Sequence, residues 1–209
     1  MEGCAMSDSS LFVILGTGGF AIELDGLMSG DGIKIEGFIG SKNANKIEDR
    51  RLGNDDVLTS YSKDREFLIA IGDPSTRENL TNKLLQMSIK LGKYFHSQSY
   101  ISNKSSISKG SIIYPHSTIH ADVDLGMGVL INSNATIGHE TKIDSFTNIG
   151  PGASIGGRCK LGKRVYVGIG ASILENISIV DDVIIGAGAV VNKDINIQGT
   201  YVGVPANIN

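Results

Sequence analysis

The sequence has no basic stripe, no long apolar run and almost no cysteine, and each absence removes a class of partner or role. Its 19 Lys and Arg are outnumbered by 22 Asp and Glu, giving a net charge of −3, whereas a nucleic-acid backbone calls for clustered cations. No stretch is long and apolar enough to insert in a membrane. Residues 1–10 (MEGCAMSDSS) are small and polar, with neither the basic start nor the apolar run of an export signal. They read as a disordered tail, and the chain reads as cytoplasmic. One cysteine, Cys4, falls in that tail and the other, Cys159, on an inward register of the repeat, so neither a disulfide nor a metal pair is expected. With 41% hydrophobic and 20% charged residues, the 209 residues otherwise fit a soluble chain of one or two domains.

What the chain does have is a count of six. From Ile101 to Ile197 every sixth residue is Ile, Leu or Val, through Ile119, Ile137, Ile155, Ile173 and Val191. A helix repeats near 3.6 residues and a strand at 2, so a strict six needs a backbone that turns a corner after each short strand. Four residues after each aliphatic stands a small or β-branched one, as at Ala135, Ala153, Cys159 and Ala171. Large residues then fill the faces of a triangular prism and small ones let the chain bend at its corners. Three hexads make a coil of 18 residues, so residues 18 apart stack, and five to six coils stand about 27 Å tall. The units Ile149-Gly150-Pro151-Gly152-Ala153 and Ile185-Gly186-Ala187-Gly188-Ala189 resemble the hexapeptide repeat of left-handed parallel β-helix acyltransferases. The left-handed sense comes from that resemblance, against the usual right-handed rule for parallel crossovers. Outward residues such as Leu130, Tyr166 and Ile169 are expected to offer flat faces to a neighbouring copy.

Before Ile101 the six-residue register disappears. Leu11–Leu15 reads as a buried parallel strand, Gly16-Thr17-Gly18-Gly19 as a glycine turn and residues 21–28 as a helix. Residues 33–39 and 67–71 supply further strands, Asp73-Pro74 caps a helix running to about Lys90, and residues 93–95 form a last strand. The expected organisation is a Rossmann-like α/β domain over 11–96 and an all-β left-handed β-helix over 97–209. Gly16, Gly18 and Ala21 match a phosphate-approaching turn at a helix N-terminus, though a purely steric need for glycine explains the same residues. The second strand ends Phe38-Ile39-Gly40-Ser41, without the carboxylate a dinucleotide ribose would require, which argues against an NAD-type site. A sugar-linked nucleotide remains open, over Gly16, Gly18 and Gly19.

His139 is the histidine with supporting neighbours, in Asn132-Ser133-Asn134-Ala135-Thr136-Ile137-Gly138-His139-Glu140. It points outward, Glu140 is beside it, and one coil on stands Gly157 in Gly156-Gly157. Acyl transfer from a thioester needs a base for the nucleophile's proton and a donor for the developing oxyanion; His139 and the Gly157 amide can supply them. An exposed surface histidine next to an acid is the plain alternative.

A glycine-turn α/β domain, then hexads, then Asn-x6-His-Glu, Gly-Gly and a terminal Gly203-Val204-Pro205-Ala206 resembles, in that order, the bacterial sugar acetyltransferases of the PglD and NeuD type. The resemblance spans Leu11 to Ala206. It implies a homotrimer of prisms with acetyl-CoA between neighbouring subunits and a nucleotide-linked amino sugar, a 4-amino-4,6-dideoxy sugar, on the N-terminal domain. It makes His139 the catalytic base, Glu140 its partner, Asn132 a residue near the reacting centre, Gly157 the holder of the thioester carbonyl and Ala187 a contact for the pantetheine arm. Where many members carry a second histidine this chain has Asn148, which can position substrate but cannot act as a base. Phe20 and Gly40-Ser41 also depart from the family's usual turn and strand end. O-acetylation of sialic acid or another glycan hydroxyl is the alternative transfer. A zinc enzyme using His116, His120 and His139 is disfavoured because their hexad positions differ, and no metal is expected. A non-catalytic scaffold would leave His139, Glu140 and Gly157 without a purpose.

Overall fold

The computed structural model describes residues 11–42, 47–60 and 65–209, apart from the side chain of Glu48; the tail expected over residues 1–10 lies outside them. The chain divides into two compact units, one ending at Gly92 and the other starting at Lys93.

In the first unit the apolar run Leu11–Leu15 is β1, buried from Phe12 onward. It leads through the glycine turn into α1 (Gly19–Gly30), whose Ala21, Leu24 and Met28 are buried at helical spacing. β2 (Ile35–Ile39), β3 (Arg51–Gly53), β4 (Arg65–Ile69), α2 (Pro74–Gln86) and β5 (Lys90–Leu91) follow. The strands form a parallel sheet in the order β3-β2-β1-β4-β5. Chain direction across the sheet reverses at β1, and such a reversal opens a crevice at the carboxyl ends of the strands.

Several boundaries differ from the sequence reading. β2 starts at Ile35, β4 runs from Arg65 to Ile69, and α2 ends at Gln86 so that Lys90–Leu91 can join the sheet beside β4. β3, carrying Arg51 and glycine, has no apolar alternation to betray it. The strand Tyr94–Phe95 pairs with Ile112–Ile113, so it is the first rung of the second unit rather than the last strand of the first. The boundary accordingly falls after Gly92, not after residue 96.

In the second unit each hexad gives a two-residue strand, and strands 18 residues apart pair in parallel. Thr136 and Ile137, for example, lie between Thr118 and Ile119 on one side and Ser154 and Ile155 on the other. Three sheets result, forming a first face through Tyr94, Leu130 and Ile184, a second through Tyr100, Thr136 and Val190, and a third through Ser106, Lys142 and Ser178. The aliphatic of each hexad points inward; Ile137, Ile155 and Ile173 are at most 3% exposed. Full burial of one such side chain stabilises by roughly 1.5–3 kcal/mol.

The bend itself sits one residue before the small position. From Ile107 to Ile185 the third residue after each aliphatic is left-handed, as at Glu140 (φ +59°), Arg158 (+58°) and Gly170 (+65°). The small residue that follows turns into the core, and Ala135, Ala153 and Ala171 are fully buried. Buried hydroxyls tie the coils: Thr141 Oγ1 donates to the Gly156 carbonyl at 2.9 Å and accepts from Cys159 N at 3.1 Å. No buried group is left unpaired by that exchange.

The count of six fails at the end of the prism. Ile179 bridges to Ile195 and Ile184 pairs with Thr200, both sixteen residues on instead of eighteen. Ile195 therefore takes the core place at 3% exposure and Ile197 is 67% exposed, against the expected register. Asp194 Oδ1 accepts from Ser178 N at 2.8 Å across the shortened corner. Thr200–Val202 then closes the first face, and Asn207–Ile208 lies on it antiparallel. Of the three residues expected to face a neighbour, Tyr166 and Ile169 are exposed while Leu130 is buried.

Candidate active site

His139 and Glu140 stand on the corner between the second and third faces, just after the strand Thr136–Ile137. His139 Nδ1 lies 2.8 Å from Glu140 Oε2. A carboxylate only accepts, so this contact selects the tautomer with its hydrogen on Nδ1 and leaves Nε2 as the basic nitrogen. Glu140 reaches the ring because its own backbone is left-handed and turns the side chain back toward its neighbour. Both side chains are about half exposed, so the pair is open to an incoming substrate.

Gly157 lies one coil on, directly against the ring. A Cβ built on Gly157 would sit 2.7 Å from His139 Nε2 and 2.9 Å from Cε1. The missing side chain therefore makes the space that the imidazole occupies. Among the described residues the Gly157 N–H finds no acceptor, so a bare donor stands beside the basic nitrogen. The same corner holds Arg158, whose Nη1 is 3.7 Å from Glu140 Oε2 and whose Nε donates to Asn176 Oδ1 at 2.8 Å. Neither Arg158 nor Asn176 was singled out from the sequence, although both follow Glu140 at steps of 18, the rule that pointed to Gly157.

The other expected residues of the prism lie elsewhere on it. Asn132 and Ala187 follow strands of the first face and stand on its corner with the second; Asn148 is within the first face, 4% exposed, between Leu130 and Tyr166. One chain does not bring them to His139. The Ala187 N–H, like that of Gly157, has no acceptor among the described residues. His116 and His120 form no cluster with His139, and among the described residues no group of His, Cys, Asp or Glu is placed to hold a metal ion.

In the first unit a cleft of about 470 Å³ opens at the carboxyl ends of β1, β2 and β4, lined in part by Gly16, Gly18, Gly19, Phe20 and Ser41. The glycines divide by role. Gly16 has φ +127° and a Cβ there would lie 2.6 Å from the Ala70 carbonyl oxygen, so it is bare for packing. Around Gly18 and Gly19 a Cβ would meet nothing within 4 Å, so their bareness serves the open side. Gly18 caps α1 without a side chain and the first turn carries no acid, which leaves the helix's positive end to an anion. At the end of β2, Thr17 Oγ1 donates to the Ser41 carbonyl at 2.9 Å, and a Cβ on Gly40 would press on Thr17 Cγ2 at 3.1 Å. Asp55, in the 3-10 turn Asp55–Ser60, lines the cleft and pairs with Lys83 at 3.1 Å.

α2 supports this cleft with a residue that hydrophobic patterning overlooks. Arg77 is 2% exposed and shares the buried stripe with Thr81 and Leu84. Its Nη1 donates to the carbonyls of Ile71 and Gly72, at 2.8 and 3.2 Å, in the loop that forms one wall. Burial pushes the guanidinium down to about 10, with Asp73 opposing, so it remains charged at neutral pH.

Residues 12–84 match the family model of the PglD N-terminal domain. No curated protein matches the sequence significantly. Among solved structures, the acetyltransferase domain of PglB from Neisseria gonorrhoeae in complex with acetyl coenzyme A is 26% identical, with 95% of this chain and 98% of that one covered and a TM-score of 0.90. The chain is an acyltransferase whose N-terminal unit matches the PglD N-terminal domain. A histidine-to-asparagine mutant of perosamine N-acetyltransferase from Caulobacter crescentus, in complex with CoA and GDP-perosamine, is 24% identical over 98% of this chain and 99% of that one, with a TM-score of 0.90. WeeI from Acinetobacter baumannii is 22% identical over 96% of this chain and all of that one, with a TM-score of 0.87. The acyltransferase thus has a Rossmann-like α/β unit followed by a left-handed parallel β-helix, the handedness that the resemblance implied. Among its described residues no helix is long and apolar enough to cross a membrane.

Proposed function

We propose that this acyltransferase moves the acetyl group of acetyl-CoA to the amine of a nucleotide-linked sugar, a 4-amino-4,6-dideoxy sugar, with His139 as general base. The observation that carries the reading is the His139 ring held by Glu140 at Nδ1, with Nε2 beside the bare Gly157 peptide. In the reaction the sugar nitrogen attacks the thioester carbonyl; a C–N bond forms and the C–S bond breaks. Nε2 takes the proton that the nitrogen sheds and returns it to the departing thiolate, while the Gly157 N–H donates to the oxyanion. Glu140 stabilises the imidazolium formed between those two transfers. The solved relatives support the choice of substrates, since one holds acetyl coenzyme A and another CoA with GDP-perosamine.

The N-terminal cleft is the proposed nucleotide site. Gly18 and Gly19 offer backbone N–H groups at a helix N-terminus to the diphosphate, and Asp55 offers acceptors to the ribose or base. On this reading the enzyme works as a homotrimer, the number the family resemblance implies, with His139 and Gly157 on one corner of each prism and Asn132 and Ala187 on another. Two chains laid face to face join a catalytic corner to one that positions the substrate amine and the pantetheine arm. A cytoplasmic setting accords with the buried, unpaired thiol of Cys159.

The test is release of CoA thiol, which should require acetyl-CoA and an amino-sugar nucleotide together. His139→Ala is expected to lower kcat by roughly 10²–10⁴-fold while the subunits stay assembled; full activity in that variant would end the proposal. Products that survive mild alkali are amides, whereas loss of the acetyl group under alkali would identify O-acetylation instead.

A further inference from the structure

We propose that Arg158 is a positioning residue for the His139–Glu140 pair: anchored to Asn176 one coil on, its guanidinium keeps the Glu140 carboxylate turned onto His139 Nδ1. The proposal rests on the acyl-transfer reading of His139 and adds to it a residue that touches neither substrate nor the reacting atoms.

The corner that carries the pair is built differently from the corner between the first and second faces. There the left-handed positions are His116 and Asn134 in the first coils and then Gly152, Gly170 and Gly188, with φ of +65° to +68°, a conformation glycine takes without strain. On the His139 corner the corresponding column is Asp122, Glu140, Arg158 and Asn176, all left-handed at +58° to +61°. Side chains with a Cβ are disfavoured in that region, and a fold that keeps several of them stacked is using their polar ends.

The distances show the use. Asn176 Oδ1 accepts from Arg158 Nε at 2.8 Å, which fixes the plane of the guanidinium, and Nη1 then faces Glu140 Oε2 at 3.7 Å. That same Oε2 receives His139 Nδ1. Glu140 is 54% exposed, so a carboxylate that is not held can swing into water. The fold makes the same device on another corner, where Arg164 and Asp182, also left-handed and 18 apart, are joined by two hydrogen bonds of 2.6 and 2.7 Å. At an exposed site such a pair adds little to stability. Its effect is to hold one carboxylate orientation.

The experiment compares steady-state kinetics of wild type, Arg158→Met, Arg158→Lys, Asn176→Ala and His139→Ala, with acetyl-CoA and the amino-sugar nucleotide that wild type acetylates. Arg158→Met is expected to lose roughly tenfold in kcat with both KM values within twofold and an unchanged Tm. Arg158→Lys keeps the charge and should recover most of that loss. Asn176→Ala, which leaves the arginine in place, should lose about threefold in kcat and serves if Arg158→Met does not fold. A kcat for both Arg158→Met and Asn176→Ala within twofold of wild type, or a loss carried by KM, overturns the proposal when His139→Ala is inactive. If His139→Ala is itself fully active, the acyl-transfer reading has failed, which is a separate result.

Discussion

Gly157 gives the proposed chemistry its most direct test. Its backbone is not left-handed, so alanine fits the chain there, but the added methyl would meet the His139 ring at 2.7 Å. Gly157→Ala is therefore expected to cost about a hundredfold in kcat by displacing the imidazole, with a Tm within about 2 °C of wild type by calorimetry. The two N-terminal glycines should separate in the opposite sense. Gly16→Ala must strain φ and push on the Ala70 carbonyl, so it should destabilise by more than 1 kcal/mol. Gly18→Ala meets nothing in the protein and should leave Tm unchanged while weakening nucleotide binding in calorimetric titration. Equal effects of the two substitutions on Tm would erase the division of roles between them.

Among the elements, α2 couples stability to the cleft. Arg77→Met would strip the Ile71 and Gly72 carbonyls of their buried donor, at a cost of about 1–3 kcal/mol, and should weaken nucleotide binding as the wall loosens. Asp73 caps the same helix, accepting from Thr76 N at 2.7 Å, and hydrogen bonding from the Thr76 side chain and then its backbone holds the carboxyl below the ordinary value. A carboxyl depressed on folding stabilises above its unfolded pKa of about 3.9 and loses that contribution as pH falls through the folded value. The stability difference between wild type and Asp73→Ala, about 1 kcal/mol at pH 7, should therefore hold down to about pH 5 and shrink as pH falls below the unfolded value of about 3.9.

The elements also show why some of this was readable in the chain and some was not. A strict six survives any detail of packing, so the prism, its 18-residue coil and the His139–Gly157 stack were legible from spacing alone. β1 and α1 were legible because apolar runs and helical spacing bury them. The buried Arg77 hid because a charged residue breaks an apolar stripe, and only its carbonyl partners explain it. The register ended early because Asp194 closes a corner two residues short, and no repeat announces its own deletion. Asp55 lay outside the reading since its place in the cleft depends on how a long connection returns after β3.

For the whole molecule the sharpest prediction is mass. Sedimentation should give three times the 22.1 kDa chain, and Tyr166→Glu or Ile169→Glu, on exposed apolar positions, should shift it toward the single chain and abolish activity together. A fully active monomer would mean that one chain suffices and that Asn132 and Ala187 stand apart from catalysis. The reversed segment Asn207–Ile208 carries a different consequence. Parallel rungs invite another rung of the same direction, and an uncapped stack is a template for its own copies. A strand laid backwards on the first face presents a pattern that a parallel rung does not extend, so it is expected to oppose end-to-end growth. Deleting three residues from the C-terminus should leave the fold standing and convert the enzyme into end-to-end polymers visible by light scattering.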